Sequence, residues 1–173
     1  MLQDLLQLLV PPTTLSVPNL HPLVVHLPIA LLTTAVLLDL AILFLRPPWL
    51  DRTASTLYVV GSLGAGAAWL TGDAAEDRLE GLAGTAQATL ADHQQLATVT
   101  LVAFAVITSY RLLVTWLGRN DHRIRIGIWR LAALPLALAG LLLLATTADH
   151  GGSLVYQHGL GVAGVHPPAT EAG

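Results

Sequence analysis

The chain has 173 residues, of which 54% are hydrophobic and 11% charged, and its mean hydropathy is +0.65. Soluble domains carry roughly 25% charged residues, so this composition indicates an integral membrane protein. The net charge of −3, without a basic patch, argues against a nucleic-acid partner, and the lack of cysteine excludes disulfides, iron–sulfur ligation, thiolate zinc sites and covalent c-type haem attachment.

The hydrophobic pattern predicts an all-α fold, an integral membrane four-helix bundle with a short N-terminal interfacial helix. The N-terminal segment, residues 1–20, opens with a leucine-rich stretch in which Gln3, Asp4 and Gln7 fall on one helical stripe, as in helices that lie in the membrane interface. A frayed end that packs on the bundle or on a partner is the alternative. The four-span domain is expected at residues 21–162 and a C-terminal tail at 163–173.

Four apolar segments are predicted to cross the bilayer, which needs roughly 20 residues of helix. They cover about residues 23–45, 54–71, 90–117 and 128–149. The second segment is rich in glycine and alanine, which lets membrane helices approach closely. The two predicted hairpins match each other at too few residues to establish an internal duplication.

Arginine is concentrated in two of the three predicted loops. Arg46 and Arg52 follow the first span and three more arginines follow the third, whereas the loop after the second span is acidic. The positive-inside rule therefore places these two loops in the cytoplasm and both termini outside. We expect a multi-pass protein of the bacterial inner membrane with periplasmic termini.

Five of the seven histidines fall at the outer ends of the predicted spans: His21, His26, His93, His150 and His158. Ionisable residues near lipid are costly and mark functional sites, and imidazole is the commonest side-chain metal ligand. Two histidines five residues apart do not share a helical face. We therefore expect His26 to point into the bundle and His21 to lie in the lead-in to the first span.

Polar neighbours of these histidines are expected to fix the orientation of the imidazole rings. Asp92, Asp149 and Tyr156 are available for this role, although Asp92 alternatively caps the third helix and leaves His93 at the water interface. The pair Gly151-Gly152 permits a sharp bend or a close approach to a flat ligand.

Two charges lie deeper in the predicted spans. At about 1.5 Å per residue, Asp39 lies roughly 20 Å below His26 and Arg111 roughly 27 Å below His93. They are therefore expected to form a structural ion pair near the cytoplasmic side. A proton or quinone path is the alternative.

Both ends of the bundle resemble a known family. His21–Ala30 is similar to the opening signature, and Gly151–Val162 to the closing signature, of the bacterial four-span family called domain of unknown function 2231. The resemblance extends over about residues 19–162. It implies a four-span membrane domain that is sometimes found beside Rieske or cytochrome domains, which points to electron transfer. The histidine positions of the family pattern are occupied by His21, His26, His93 and His158.

The chemistry fits haem b held by two imidazoles on opposite faces of the ring. The preferred axial pair is His26 with His93, while His158 can replace either ligand or pair with His150 for a second haem. Only one arginine, Arg78, is predicted on the outer side to hold the haem propionates, which counts against haem.

Two other functions stay open. One is a non-haem site in which several imidazoles and a carboxylate bind copper, zinc or iron. The other is a structural or assembly subunit without its own cofactor. No hydrolase or phosphate-binding motif occurs, so a non-catalytic electron-transfer or accessory subunit is favoured over an enzyme. Its expected partners are the lipid bilayer and other membrane or periplasmic redox subunits.

Overall fold

The computed structural model describes residues 20–45, 48–76, 82, 84–117 and 128–162, with only the backbone for 128–131. These residues are helical, apart from turns, and contain no strand. The five helices are α1 (His21–Val24), α2 (His26–Leu45), α3 (Pro48–Glu76), α4 (Gly84–Leu117) and α5 (Ile128–Tyr156).

The four long helices form two hairpins. Helix α2 packs along α3, and α4 packs along α5, while smaller contacts join α3 to α4 and α2 to α5. Each long helix therefore has two neighbours, and α2 and α4 face each other across the bundle. The short helix α1 continues the line of α2 and contacts α3 at the same end.

A break at Val25 separates α1 from α2. Its cause lies three residues later, because Pro28 has no backbone N–H and its ring crowds the carbonyl four residues earlier, that of Val24. The backbone crosses this point through a bond from the Ile29 amide to the Val25 carbonyl, at 3.3 Å. The first span thus begins with one helical turn, followed by a one-residue interruption of the helix at Val25.

The core of the bundle lies between the two hairpins. Its largest fully buried side chains are Tyr58, Phe104, Leu32 and Val36. Many large apolar side chains point outward instead, among them Phe44, which is 83% exposed, and Leu142, which is 70% exposed. A contiguous apolar exterior of this kind suits contact with lipid.

Three of the described helical stretches are long and apolar enough to cross a membrane: His21–Leu45, Gly84–Leu117 and Ala132–Tyr156. Helix α3 has 29 residues, and therefore a length of about 43 Å at 1.5 Å per residue, but it is less apolar. The chain is thus a helical membrane protein, and the count of four spans stays a prediction.

Two expected helix boundaries are wrong. Helix α4 begins at Gly84 rather than near residue 90, so Asp92 lies in its third turn and does not cap it. Helix α5 continues through Gly151-Gly152 to Tyr156 instead of bending. Glycine in a helix costs roughly 0.5–1 kcal/mol relative to alanine, and at Gly151 the bare backbone packs against the ring of His93.

Several sequence predictions fall outside the described residues. These are the interfacial helix before Leu20, the tail after Val162, and five arginines of the predicted loops: Arg46, Arg78, Arg119, Arg123 and Arg125.

Candidate ligand site at the histidine pair

Two histidines from opposite sides of the bundle meet near its His21 end. His21 lies in α1 and His93 lies in α4, and their ring centroids are 6.2 Å apart with an angle of 82° between the ring planes. Both side chains are partly buried. Because α2 and α4 are not neighbours, these two rings bridge the bundle from one hairpin to the other.

The ring of His21 is held by helix α3. Its Nδ1 lies 2.8 Å from the carbonyl oxygen of Ala68 and 3.4 Å from the hydroxyl of Thr71. The ring lies directly over Gly72, where a Cβ atom would come within 3.0 Å of the His21 Cε1. A glycine at this position lets the Cε1–Nδ1 edge of the imidazole approach the α3 backbone closely.

The ring of His93 is held by helix α5 in the same way. Its Nδ1 lies 3.0 Å from the carbonyl oxygen of Thr147. The ring lies over Gly151, where a Cβ atom would come within 3.1 Å of the His93 Cε1. Each histidine is therefore anchored by the second helix of its own hairpin, on a carbonyl and a glycine one turn apart.

These contacts determine the tautomer of both rings. A backbone carbonyl only accepts a hydrogen bond, so Nδ1 carries the proton in His21 and in His93. In the neutral imidazole the lone pair then lies on Nε2, the nitrogen that binds a metal. Metal-ligating histidines commonly donate the other N–H to a backbone carbonyl, which fixes the ring and raises its basicity.

The structure does not bring together the preferred sequence pair, His26 and His93. His26 is exposed, and its Nδ1 donates to the carbonyl of Pro22 in the preceding turn, at 2.6 Å. The expectation that His26 faces inward and His21 lies in a lead-in is therefore wrong. Only one of two histidines five residues apart can face the bundle, and α1, packed on α3, turns His21 inward.

The two remaining histidines of the outer cluster lie around the pair. His150 is partly buried and its Nδ1 donates to the carbonyl of Thr146 in its own helix, at 2.9 Å. The turn after α5 brings the His158 Nε2 to 3.3 Å from the hydroxyl of Thr89, one helical turn before His93.

The acidic and phenolic groups expected beside the histidines point elsewhere. Asp92 and Asp149 are exposed, and Tyr156 is 90% exposed. Backbone carbonyls of α3 and α5 take the orienting role instead. These carbonyls and Gly72 were not identified from the sequence. The one available signal was a shared spacing, because Gly72 follows Ala68 and Gly151 follows Thr147 by four residues, which is one helical turn. Within the described residues, no three histidine, aspartate or glutamate side chains lie close enough together to hold a metal ion.

The opposite end of the bundle contains an ion cluster around Arg111. Its guanidinium binds Asp39 Oδ1 through Nη1 and lies 3.2 Å from Asp51 Oδ1. Its Nε donates to the hydroxyl of Ser55 at 3.2 Å, and its Cζ lies 5.2 Å from the centroid of the Tyr58 ring. The side chain of Arg111 is 10% exposed and that of Asp39 is 12% exposed, so the pair is largely shielded from the surroundings.

A family model described as "Predicted membrane protein (DUF2231)" matches residues 17–164 of the chain. The family resemblance of the two terminal signatures is therefore confirmed. No curated protein and no solved structure matches the chain.

Proposed function

The chain belongs to the DUF2231 family of predicted membrane proteins, and we propose that it holds haem b between His21 and His93 and passes single electrons. In this proposal it is an electron-transfer protein or a subunit of a larger membrane redox assembly. Haem b supplies a one-electron couple when it is bound, and the chain would supply the imidazoles of His21 and His93 and the apolar surroundings.

The facing pair of anchored imidazoles is the observation that supports this function. Haem iron takes four nitrogens from the porphyrin and needs only two ligands from the protein. Two imidazoles that share one metal, with metal–nitrogen bonds of about 2.0–2.1 Å, have ring centroids roughly 6 Å apart. The observed separation of 6.2 Å agrees with this value.

The helices beside the pair let the two imidazole rings pack closely against their backbones. At the level of the two rings, α3 and α5 carry only small residues on their anchoring faces: Ala68, Gly72, Thr147 and Gly151. The donor set, two imidazoles whose Nδ1 atoms are hydrogen-bonded to backbone carbonyls, also fits a porphyrin, which brings its own four nitrogen ligands. The residues present therefore fit haem b.

The proposed orientation puts this site near the outer face of the membrane. Helix α3 serves as the fourth span, because it packs between α2 and α4 along the bundle. With four spans, the arginine loops lie in the cytoplasm and the histidine end faces the periplasm. A periplasmic or membrane redox partner would then reach the haem edge from the outer side.

Haem content of single-histidine variants tests the proposal. We expect wild-type protein purified in detergent to carry haem, and H21A and H93A each to lose most of it, because either change removes one axial nitrogen. H26A and H150A are matched controls, since both remove an imidazole at the same end whose Nδ1 donates to the carbonyl four residues earlier in the chain. Full haem content in H21A and H93A would contradict the assignment.

Metal analysis of the same samples separates the other functions. Stoichiometric copper, zinc or iron without a haem spectrum would indicate the non-haem site. A folded wild-type protein with neither haem nor metal would indicate an assembly subunit without its own cofactor.

A further inference from the structure

The two hairpins repeat the same pattern of burial. Positions 72 residues apart in α2 and α4 are buried or exposed together along most of the two helices. The buried positions of α2 and their equivalents in α4 are Pro28 and Thr100, Leu32 and Phe104, Ala35 and Ile107, and Val36 and Thr108. The side chains differ in type at every one of these four buried pairs, so along α2 and α4 the repeat is visible in burial rather than in residue type.

The second helices of the hairpins are equivalent with a spacing of 79 residues. Gly61 of α3 is packed against Leu32, and Gly140 of α5 is packed against Phe104, the equivalent of Leu32. The histidine anchors repeat with the same spacing, because Ala68 corresponds to Thr147 and Gly72 corresponds to Gly151. Contacts within one hairpin thus recur in the other.

Equivalent residues also meet each other across the bundle. His21 faces His93 at one end. At the other end Asp39 binds Arg111, which lies 72 positions later in the chain. Residues contact their own equivalents only where they lie beside a two-fold axis, so these two pairs mark the two ends of one axis that runs along the bundle.

We propose that the two hairpins are equivalent halves of one binding site, and that the chain takes a single ligand on this axis, held equally by His21 and His93. The identity of the ligand as haem rests on the proposed function above. The equivalence of the halves rests on the repeated contacts.

The far end of the same axis is closed. Asp39 and Arg111 carry opposite charges, whereas like charges at equivalent positions on the axis would repel each other. Tyr58 fills the space beside Arg111, and its equivalent Ala137 is small; both are fully buried. The axis therefore offers one ligand position, at the histidine end, and no second haem is expected.

Matched glycine substitutions test the equivalence of the halves. G72V and G151V each place a side chain against one histidine ring, while G66V and G152V are controls on the same two helices with no contact closer than 4.0 Å at the added Cβ. We expect one haem per chain in the wild type and the controls. We expect G72V and G151V to lose haem to a similar extent, each by more than half.

Three results would overturn the proposal: two haems per chain, loss of haem in only one of G72V and G151V, or no loss in either. If the folded wild type carries no haem, the proposed function fails, and the equivalence of the two hairpins is tested in the protein without a ligand. Nitrogen-15 NMR of histidine-labelled protein then reports the tautomers. Protonated Nδ1 in both His21 and His93 supports equivalent halves, and different tautomers overturn them.

Discussion

Replacing Arg111 by leucine should destabilise the bundle more than any other single change at the charged end. The substitution leaves Asp39 and Asp51 facing each other without the guanidinium between them, and both carboxylates are mostly buried, at 12% and 17% exposed. Breaking a buried ion pair by removing one partner costs about 3–5 kcal/mol. We expect R111L to lose free energy of unfolding in this range.

Replacing Asp39 by leucine should lower the free energy of unfolding by less than R111L does. D39L leaves Arg111 with Asp51 and with the hydroxyl of Ser55, so the expected loss is about 1–3 kcal/mol, as for one unsatisfied buried partner. In the double variant D39L/R111L the loss should be smaller than the sum of the two single losses, because the Asp39–Arg111 interaction is removed in both single variants and Asp39 is no longer left as an unpaired carboxylate.

Unfolding by SDS in mixed micelles, followed by far-UV circular dichroism, measures these free energies. R52A is the matched control, because Arg52 is exposed in α3 beside Asp51, and surface changes usually stay within about 0.5 kcal/mol. Losses that simply add in the double variant, or an R111L protein as stable as R52A, would refute the reasoning.

Two further outcomes follow from the packing. G61V should destabilise the bundle by about 1–3 kcal/mol, because a Cβ at Gly61 would already lie 2.7 Å from the Leu32 Cδ2. G66V, with nothing within 4 Å of its Cβ, should leave the SDS midpoint nearly unchanged, and equal midpoints for the two variants would contradict this packing. H158A should keep its haem but speed hydrogen exchange in residues 157–162, since only the contact with Thr89 is removed; loss of haem in H158A would make His158 a ligand.

Composition and hydropathy were sufficient to predict the helical membrane fold. The lipid-facing and the core-facing surfaces of such helices are both apolar. The approximate positions of the helices along the chain therefore follow from the length and hydrophobicity of each segment. The exact ends did not follow. Helix α4 begins at Gly84, six residues before the apolar run that the sequence predicts from residue 90. Helical hydrogen bonding includes less apolar residues that hydropathy does not assign to a membrane span.

Spacing alone did not show whether His21 or His26 faces the interior of the bundle. Helical geometry showed that only one of His21 and His26 can face inward, and the packing of α1 on α3 decides which one. The depth of Asp39 and Arg111 could be estimated, because it depends only on the rise of a helix. Their relation by an internal repeat could not, since Asp39 and Arg111 differ in type and the buried positions of α2 and α4 share burial rather than residue type.

The most direct test of the proposed function is the absorption spectrum of the detergent-purified wild-type protein, dithionite-reduced minus air-oxidised, with iron measured on the same sample. Haem held between His21 and His93 predicts the sharp α and β bands of a b-type cytochrome and about one iron per chain. A flat difference spectrum from a folded protein would contradict it.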